Sequence, residues 1–444
     1  MKPGPTTPAG MLPGTALAWA HHLVQRAASL FDPLHQGGWR VDERLLAGHL
    51  LLPLVVAAAN HLDPPPPAPE PYPAPGGGWV AIDLGPEDAE PLARLLAVID
   101  AETGAGHPPP DAEELARRAQ EWRLAVTPYR NPPKGGDRNP PKGGGGSDPD
   151  PHMVTTRLDL VDASARRRRM GPCPPAAANP NRPLKGIRVL DLTVLWAGPL
   201  ATWLLAQLGA EVIKIEPACR PDGLRAGPRP PTAGHGALFG ALNHGKSHRT
   251  LDLRRPADHA RFLALVAEAD IVIDNFSPRV RPNLDIDPAR LAKLRPGLID
   301  LSLTAFAPRG PQADWVAYGG GVHASSGLGA ETLRPSPVSY RPALVSYPDP
   351  IAGLTAFVLL LDALQDRSPR PQPGQGRIEL SLEGCLQPLL PGDGPGRAAA
   401  AAASDSAVAA AVATAASRTV VVDGCRVLPS PLLAAARTGG SGRG

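Results

Sequence analysis

The sequence predicts an α/β fold with a parallel, doubly wound sheet, accompanied by long unstructured segments. Two short apolar runs rich in branched residues flank an apolar helix near the middle of the chain, an order typical of a parallel sheet. Further short strands alternate with helices up to about residue 303, which extends the same pattern. Pro and Gly supply 57 and 47 of the 444 residues, and this excess indicates unstructured segments beside the folded part.

The opening unit of the sheet is organised around the turn that follows its first strand. Residues 187–192 have the pattern of a buried strand, residues 197–199 break it, and residues 200–208 have helical spacing. Gly209 ends this helix, and residues 211–216 (EVIKIE) form the next strand. Such βαβ units cross over right-handed, and open α/β sheets bind ligands at turns beyond the carboxyl ends of their strands. We therefore expect a ligand at this turn.

The other predicted elements lie on both sides of the opening unit. After it, the pattern predicts strands at 251–253, 271–273 and 298–303, a strand or helix start at 377–382, and helices at 257–268, 288–294 and 351–364. Before it, the pattern predicts helices at 16–30, 44–59, 86–99 and 111–125 and a strand at 79–84. Asp111 is expected to cap the last of these helices, with Glu114 at the capping-box position.

Composition divides the chain into four segments. Residues 1–130 form an N-terminal region with helical and α/β patterns, and residues 131–183 form a low-complexity linker that repeats NPPKGG. Residues 184–390 carry the main α/β domain. Residues 391–444 form an Ala-rich tail that we expect to be disordered, with order predicted only at residues 419–428.

Bulk properties exclude several classes of partner. The net charge of +3 is too small to indicate nucleic-acid binding. The most apolar early run, residues 45–59, is too short to span a bilayer, and no signal peptide is visible. The cysteines are too far apart to bind a metal, so we expect no metal site and reduced thiols in the cytoplasm. They are Cys173, Cys219, Cys385 and Cys425.

A series of motifs over residues 184–390 resembles the family III CoA-transferases, a group that includes the α-methylacyl-CoA racemases. They are GIRVLDLTVLWAGPLATWLLAQLGAEVIKIE, RPDGLR, LNHGKSHRTLDL, ADIVIDNFSP, LRPGLIDLSLTAFAPRGP, SSGL, YPDPIAGLTAFVLLLDAL and GQGRIELSL, in that order. The resemblance implies a Rossmann-like large domain, a smaller second domain and an interlinked homodimer. It also implies acyl-CoA and a carboxylic acid as substrates, with no permanently bound cofactor.

By this resemblance, Asp349 in PDPIAG matches the catalytic aspartate of the family. A free carboxylate, with an unperturbed pKa of about 3.9, is ionised at neutral pH and can attack a thioester carbonyl. The implied function is CoA transfer through an aspartyl–acyl anhydride and an aspartyl-CoA thioester. The structural alternative is that Asp349 is an N-cap, because it precedes Pro350 at the start of a predicted helix.

The resemblance also indicates residues that contact CoA. Arginine and lysine would bind its phosphates, Phe276 would flank adenine, and N–H groups of residues 319–321 would hold oxyanions. The alternatives are exposed surface charges and, for Phe276, a core contact. The predicted CoA-binding residues are Ala197, Gly198, Pro199, Arg220, Arg225, Asn243, Lys246, Asn275 and Phe276.

The chain differs from the family pattern at several positions. Pro217 replaces an arginine, Gly319 replaces an acidic residue, and His323 replaces a glutamine. Tyr318 stands where the racemase branch has its histidine, and a racemase needs a base on each face of the carbon. We therefore expect transfer rather than racemisation.

The two ends of the chain also depart from the family. Residues 79–130 resemble the closing section of a family half, placed ahead of the next half, whereas the section after residue 382 is short. This order indicates a tandem or rearranged member. A catalytically silent CoA-binding or partner subunit therefore stays open as an alternative, as does a 2-methylacyl-CoA racemase or epimerase.

Overall fold

The structure, a computed structural model, describes residues 14–31, 39–41, 43–50, 52–59, 71–84, 88–131, 154–155, 182–225, 236–329, 347–366, 376–389, 414–422 and 425–434. The strands are β1 (Trp39–Val41), β2 (Tyr72–Pro73), β3 (Trp79–Ile82), β4 (Val126–Pro128), β5 (Val154–Thr155), β6 (Arg188–Asp191), β7 (Glu211–Glu216), β8 (Ser247–Thr250), β9 (Ile271–Asp274), β10 (Ile299–Thr304), β11 (Arg377–Ser381), β12 (Val420–Val422), β13 (Cys425–Val427) and β14 (Leu432–Ala434). The helices are α1 (Gly14–Phe31), α2 (Glu43–Leu50), α3 (Leu52–Ala59), α4 (Ala89–Gly104), α5 (Ala112–Glu121), α6 (Ala197–Gln207), α7 (Ala237–Asn243), α8 (Pro256–Glu268), α9 (Val280–Asn283), α10 (Pro288–Leu294), α11 (Gly319–Ser325), α12 (Pro348–Gln365) and α13 (Leu382–Leu386).

The central sheet has seven strands in the order β5-β11-β10-β9-β6-β7-β8, and every neighbouring pair is parallel. Read from β8 to β11, this is the 3-2-1-4-5-6 order of the Rossmann fold. Val189 in β6 pairs with Val212 on one side and with Ile271 on the other, so the strand order reverses at β6. The predicted parallel α/β fold is confirmed, and its switch point lies between β6 and β9.

The sheet is covered on both faces, as the doubly wound prediction requires. Val189 packs into the core beneath α6 and α12, whereas its neighbour Leu190 packs into the core beneath α8 and α10. On β7, Val212 packs into the core beneath α6 and α12, and Ile213 packs into the core beneath α8 and α10. This alternation follows from the period of two along a strand. The second helix layer holds Phe262 on α8, which is fully buried.

The N-terminal helices share the larger of these cores. Buried residues of α1, α2 and α3 belong to the same cluster as α12. Arg26 on α1 donates to the carboxylate of Asp362 on α12 at 2.8 Å. Strand β1 pairs antiparallel with β14, and β12 pairs with β13. Segments from both ends of the chain therefore pack against the main α/β unit.

Residues 71–84 and 88–131 form a smaller unit with a core of their own. Strands β2, β3 and β4 make an antiparallel sheet, and α4 and α5 pack against it. The side-chain amide of Gln120 bonds the backbone of Val316, at 2.8 Å as donor and 2.8 Å as acceptor. Arg123 donates to the carbonyl oxygen of Asp314 at 2.7 Å. The smaller unit is therefore anchored to the segment that leads into α11.

Several element boundaries differ from the predictions. The strand predicted at 251–253 is wrong, because the strand is β8, whose exposed SHRT sequence has no apolar signature. The helix predicted at 86–99 is α4, which begins at Ala89; residues 85–87 lie outside the described part. Asp111 caps α5 by accepting from the Glu114 N–H at 2.9 Å, as predicted.

The predicted linker and tail are described only in part. Within the linker the structure describes residues 154–155, which form β5, and residues 182–183. The rest of residues 132–181 lies outside the described part. The tail contains β12, β13 and β14, and residues 390–413 and 435–444 lie outside the described part. The ordered segment predicted at 419–428 contains the β12–β13 hairpin.

Candidate active site

The loop between β6 and α6 is strained and is held by side chains from other strands. Leu195 has a φ of 65°, a left-handed conformation that costs a branched residue of order 1–3 kcal/mol. Its N–H donates to Asp222 Oδ1 at 3.1 Å, from the loop after β7. Asn275, from the loop after β9, bonds both the N–H (3.0 Å) and the carbonyl (2.9 Å) of Val194. The loop is thus fixed from both sides of the switch point.

A buried network of charges lies directly beneath this loop. The Lys214 ammonium donates to the carbonyl of Thr193 at 2.7 Å and pairs with Asp222 at 3.0 Å. Asp191 accepts from the N–H of Thr193 and pairs with Lys246 at 3.0 Å. Burial raises the pKa of Asp191, but the two nearby ammonium groups outweigh it and hold that pKa below its ordinary value. The network keeps Asp191 ionised and the loop in one conformation.

The predicted phosphate contact of Lys246 is corrected by its position. The side chain of Lys246 is fully buried, and its ammonium lies within 3.0 Å of four oxygen atoms. An ammonium has three N–H bonds, so these acceptors satisfy it completely. One acceptor is Oδ1 of Asn243, which also faces inward. Both residues support the loop from below instead of facing a ligand.

Two glycines allow α6 to pack closely against its neighbours. A Cβ at Gly198 would lie 2.3 Å from the side chain of Thr193. A Cβ at Gly353, in α12, would lie 2.6 Å from the carbonyl oxygen of Ala197. Real Cβ atoms do not approach other heavy atoms so closely, so both positions require glycine. The contact at Gly353 brings the beginning of α12 against the beginning of α6.

Asp349 lies in the first turn of α12, one turn before Gly353. The N-cap of this helix is Tyr347, so the interpretation of Asp349 as the N-cap is wrong. Residues four apart lie on one helix face, about 6 Å along the axis, so Asp349 shares the face that contacts Ala197. Asp349 is half-buried, and the helix dipole favours its negative charge at this end. The predicted nucleophile and the predicted ligand loop are therefore neighbours.

Two buried nitrogen atoms near this end of α12 have no hydrogen-bond partner among the described residues. One is Nε1 of Trp196, the residue before Ala197. The other is Nε2 of His323 on α11, whose Nδ1 bonds the hydroxyl of Tyr347 at 2.7 Å. Burial lowers the pKa of His323 to about 4 and raises that of Tyr347. The imidazole is therefore neutral at physiological pH.

Two of the three predicted oxyanion donors at residues 319–321, the N–H groups of Gly320 and Gly321, are already bonded within the protein. Asp83, from the smaller unit, accepts from the N–H of Gly321 at 2.8 Å and also bonds the N–H of Gly320. Burial raises the pKa of Asp83, and these two hydrogen bonds oppose the rise. The expectation that these two amides hold substrate oxyanions is therefore corrected. They donate instead to the Asp83 carboxylate, which lies 238 residues before Gly321 in the chain and caps α11.

The remaining predicted CoA-binding residues lie around the switch point. Pro199 is in the first turn of α6, and Phe276 packs half-buried against the core beneath α8. Arg225 pairs with Glu216 and lies over the ring of Phe239, with 3.8 Å between its guanidinium carbon and the ring centroid. Arg220 is exposed in the loop after β7. The structure brings these residues to one edge of the sheet without grouping them at a single point.

The residues that hold the loop were not predicted from the sequence. Asp191, Lys214 and Asp222 were not identified, although Lys214 interrupts an otherwise apolar strand, which is a signal of a buried partner. Trp196 and Asp83 carry no comparable signal, since an indole and a carboxylate are ordinary at those positions.

Neither a metal site nor a membrane span is found within the described part of the chain. No group of three or more His, Cys, Asp or Glu side chains there is arranged to hold a metal ion. None of the helices there is both long enough and apolar enough to cross a bilayer.

The strand order and the loop at the switch point define a doubly wound α/β protein of the ligand-binding class. Residues 184–384 match the sequence family described as CoA-transferase family III. This part of the chain is therefore similar to that family, and the resemblance stated from the motifs is confirmed.

Relatives named as CoA-transferases match a similar share of the chain. An acetyl-CoA:oxalate CoA-transferase from Acetobacter aceti is 37% identical over 46% of this chain and 52% of its own length. A succinyl-CoA–D-citramalate CoA-transferase from Chloroflexus aurantiacus is 34% identical over 46% of this chain and 50% of its own length. The crystal structure of a CaiB/BaiF family protein from Brucella suis is 31% identical over 46% of this chain and 55% of that chain, with a TM-score of 0.41. The chain spans about half the length of the curated relatives it matches.

Proposed function

We propose that this chain transfers CoA from an acyl-CoA to a carboxylic acid, with Asp349 as the nucleophile. The observation that carries the proposal is the close packing of Gly353 against the carbonyl of Ala197. It sets the carboxylate one helical turn from the loop at the switch point, where open α/β sheets bind nucleotides. A carboxylate at a helix N-terminus is stabilised in the ionised form that the reaction needs.

The chemistry uses two pairs of acyl transfers at one carboxylate. An oxygen of Asp349 attacks the thioester carbon, the C–S bond breaks, and CoA leaves as the thiolate from an acyl–aspartyl anhydride. The thiolate then attacks the aspartyl carbonyl, which releases the donor acid as its carboxylate and leaves aspartyl-CoA. The acceptor carboxylate then attacks the aspartyl-CoA carbonyl and releases the CoA thiolate, which forms a second anhydride. The thiolate attacks the acceptor's carbonyl in this anhydride, so the new acyl-CoA departs and the Asp349 carboxylate is regenerated.

Short dicarboxylic acids are the proposed substrates. The relatives named above act on oxalate and citramalate, and others that match this chain are named for malate and for succinate and glutarate. Arg220 is the proposed contact for a CoA phosphate, since it is exposed and follows a strand at the ligand edge of the sheet. Arg225 is a weaker candidate because its guanidinium is engaged with Glu216 and Phe239.

The decisive experiment is an identity exchange with Asp349→Asn as the matched variant. The full-length chain is incubated with succinyl-CoA and ¹⁴C-succinate, and label in succinyl-CoA is counted. The wild type is expected to exchange label, and the variant, which keeps the shape but loses the nucleophile, is expected to lose exchange by at least about 10⁴-fold. Hydroxylamine added during turnover should convert Asp349 to a hydroxamate, detected by peptide mass spectrometry.

Two results would contradict the proposal. Exchange that survives in Asp349→Asn would remove this residue from the mechanism. CoA binding by calorimetry, with no exchange for oxalate, succinate, malate, citramalate or glutarate, would favour the second candidate, a catalytically silent CoA-binding or partner subunit. The observation that supports this second candidate is that the N–H groups of Gly320 and Gly321, which were expected to hold substrate oxyanions, are bonded to Asp83.

Racemisation is the less favoured function for this site. Moving a proton between two faces of a carbon needs an effective base on each side. His323 has its Nδ1 bonded to Tyr347 and a pKa of about 4, so it is a weak base. Deuterium incorporation at the α-carbon of 2-methylacyl-CoA in D₂O would identify a racemase, and we expect none.

A further inference from the structure

The two buried tryptophans of the α6 region differ in the pairing of their indole N–H groups. Trp203 is fully buried, and its Nε1 donates to Nε2 of His244 at 3.1 Å. Trp196 is 8% exposed, and its Nε1 has no hydrogen-bond partner within the described part of the chain. An indole nitrogen is a donor only and has no second tautomer, so it needs an acceptor to be satisfied. A buried donor left unpaired is unfavourable and calls for an explanation.

The position of Trp196 supplies that explanation. It is the N-cap of α6 and immediately precedes Ala197, whose carbonyl meets Gly353 of α12. Asp349 lies on the same face of α12, one turn nearer the helix start. The unpaired N–H therefore belongs to the residue at the boundary between the switch-point loop and α6. The next residue, Ala197, contacts the helix that carries Asp349. Trp196 and Asp349 are thus carried by the two elements that meet at the contact between Ala197 and Gly353.

We propose that the indole N–H of Trp196 donates to the thioester carbonyl oxygen of acyl-CoA while Asp349 attacks. This inference rests on the proposed function. During attack, the carbonyl π electrons move onto that oxygen, and they return when the C–S bond breaks and the thiolate leaves. A donor already held in place stabilises the oxyanion without reorganising, which is the usual role of an oxyanion-hole group.

The rigidity of the surrounding loop supports this role. The loop before Trp196 is fixed by Asn275 and Asp222, and the indole packs in the core beneath α12. A donor on a fixed frame keeps its direction when no ligand is present. The N–H groups of Gly320 and Gly321, which were expected to serve this purpose, are bonded to Asp83, whereas the indole N–H of Trp196 is unpaired among the described residues.

The test compares Trp196→Phe with Trp203→Phe in the full-length chain. Both remove one indole N–H from the α6 region, but only the second breaks a hydrogen bond within the protein. The exchange of ¹⁴C-succinate into succinyl-CoA gives kcat and KM, and thermal unfolding gives the midpoint temperature. Trp196→Phe is expected to lower kcat on the order of 100-fold with KM nearly unchanged, and to leave the midpoint close to wild type. Trp203→Phe should lower the midpoint and retain kcat.

The outcomes separate this inference from the proposed function. If the wild type exchanges label with none of the five acids named above, the proposed function fails first. If the wild type exchanges but Trp196→Phe keeps its kcat, or raises KM alone, the oxyanion role is overturned and CoA transfer by Asp349 stands. A lowered midpoint in Trp196→Phe that accounts for the lost kcat would also overturn the role. Trp196→Gln, which restores a neutral N–H donor, should recover part of the lost kcat.

Discussion

The loop after β6 and the N-terminal end of α12 meet at the same crevice, but their polar groups are satisfied to different degrees. In the loop, the backbone groups of residues 193–195 described above are bonded by Asp191, Lys214, Asp222 and Asn275. Around the end of α12, Nε1 of Trp196 and Nε2 of His323 have no partner within the described part. A saturated network holds a shape, whereas an unpaired polar atom can hydrogen-bond a ligand. The loop therefore keeps the shape of the crevice, and the groups around the end of α12 are the ones that can bind or react with a ligand.

The largest expected effect comes from breaking the saturated region. Lys246→Met removes the ammonium that pairs with Asp191 and leaves a buried carboxylate without its main partner. Breaking one side of a fully buried ion pair costs about 3–5 kcal/mol, which is a large part of a typical free energy of unfolding. Urea denaturation followed by circular dichroism would measure the loss.

A double-mutant cycle separates the pair from simple packing. Asp191→Asn with Lys246→Met removes both charges, so it should be destabilised by clearly less than the sum of the single variants. Additive losses would mean that the two charges do not act as a pair and that this pair does not hold the loop.

The next effect tests the contact between the two regions. Gly353→Ala places a Cβ 2.6 Å from the carbonyl oxygen of Ala197, which is backbone and cannot rotate away. The two helices must separate, at a cost of about 1–3 kcal/mol. Because Asp349 and Trp196 lie on either side of this contact, exchange activity should fall by more than the stability loss explains.

Gly240→Ala is the matched control for this variant. Gly240 is also a helical glycine, in α7, and an added Cβ there meets nothing within 4 Å. It should raise stability by roughly 0.5–1 kcal/mol, because alanine restricts the unfolded chain, and leave exchange unchanged. Equal activity losses in the two variants would show that the Gly353 contact has no special role.

The sequence predicted the frame of the site because frames depend on local pattern. The βαβ unit, the helix end at Gly209 and the apolar helix α12 follow from the period of apolar residues and from a glycine with φ of 97°. The exposed strand β8 has no such period and was placed four residues late. Asp349 was identified from the family motif, and no spacing of residues alone would have distinguished it from an N-cap.

The pairings within the site could not be predicted from one sequence. Asp191 and Lys246 are 55 residues apart, and Asp83 reaches Gly321 across 238 residues. Each residue type is ordinary where it stands, and only the fold decides which side chains meet. The same applies to an absence of pairing: the unbonded N–H of Trp196 is visible only when its surroundings are known.

The smallest expected effect concerns His323 and acid. Its pKa is about 4 when folded, below the ordinary 6.5, because burial opposes the charged imidazole. Between these values the unfolded chain binds a proton that the folded chain does not, so stability is present above pH 6.5 and is lost as pH falls towards 4. His323→Gln removes this contribution, so the variant should lose about 1 kcal/mol less than the wild type between pH 7 and pH 5, after discounting for partial exposure.

Urea midpoints at pH 7 and pH 5 for the two proteins would measure the difference. His49, which is buried and also has a pKa of about 4, is present in both proteins, so its share of the acid sensitivity cancels. Identical losses would mean that His323 is protonated in the folded protein at pH 5 and that burial does not lower its pKa as far as stated above. A smaller loss in the variant would establish that the His323 imidazole is neutral in the folded protein at pH 5, so that its unpaired Nε2 is an uncharged polar atom near the start of α12.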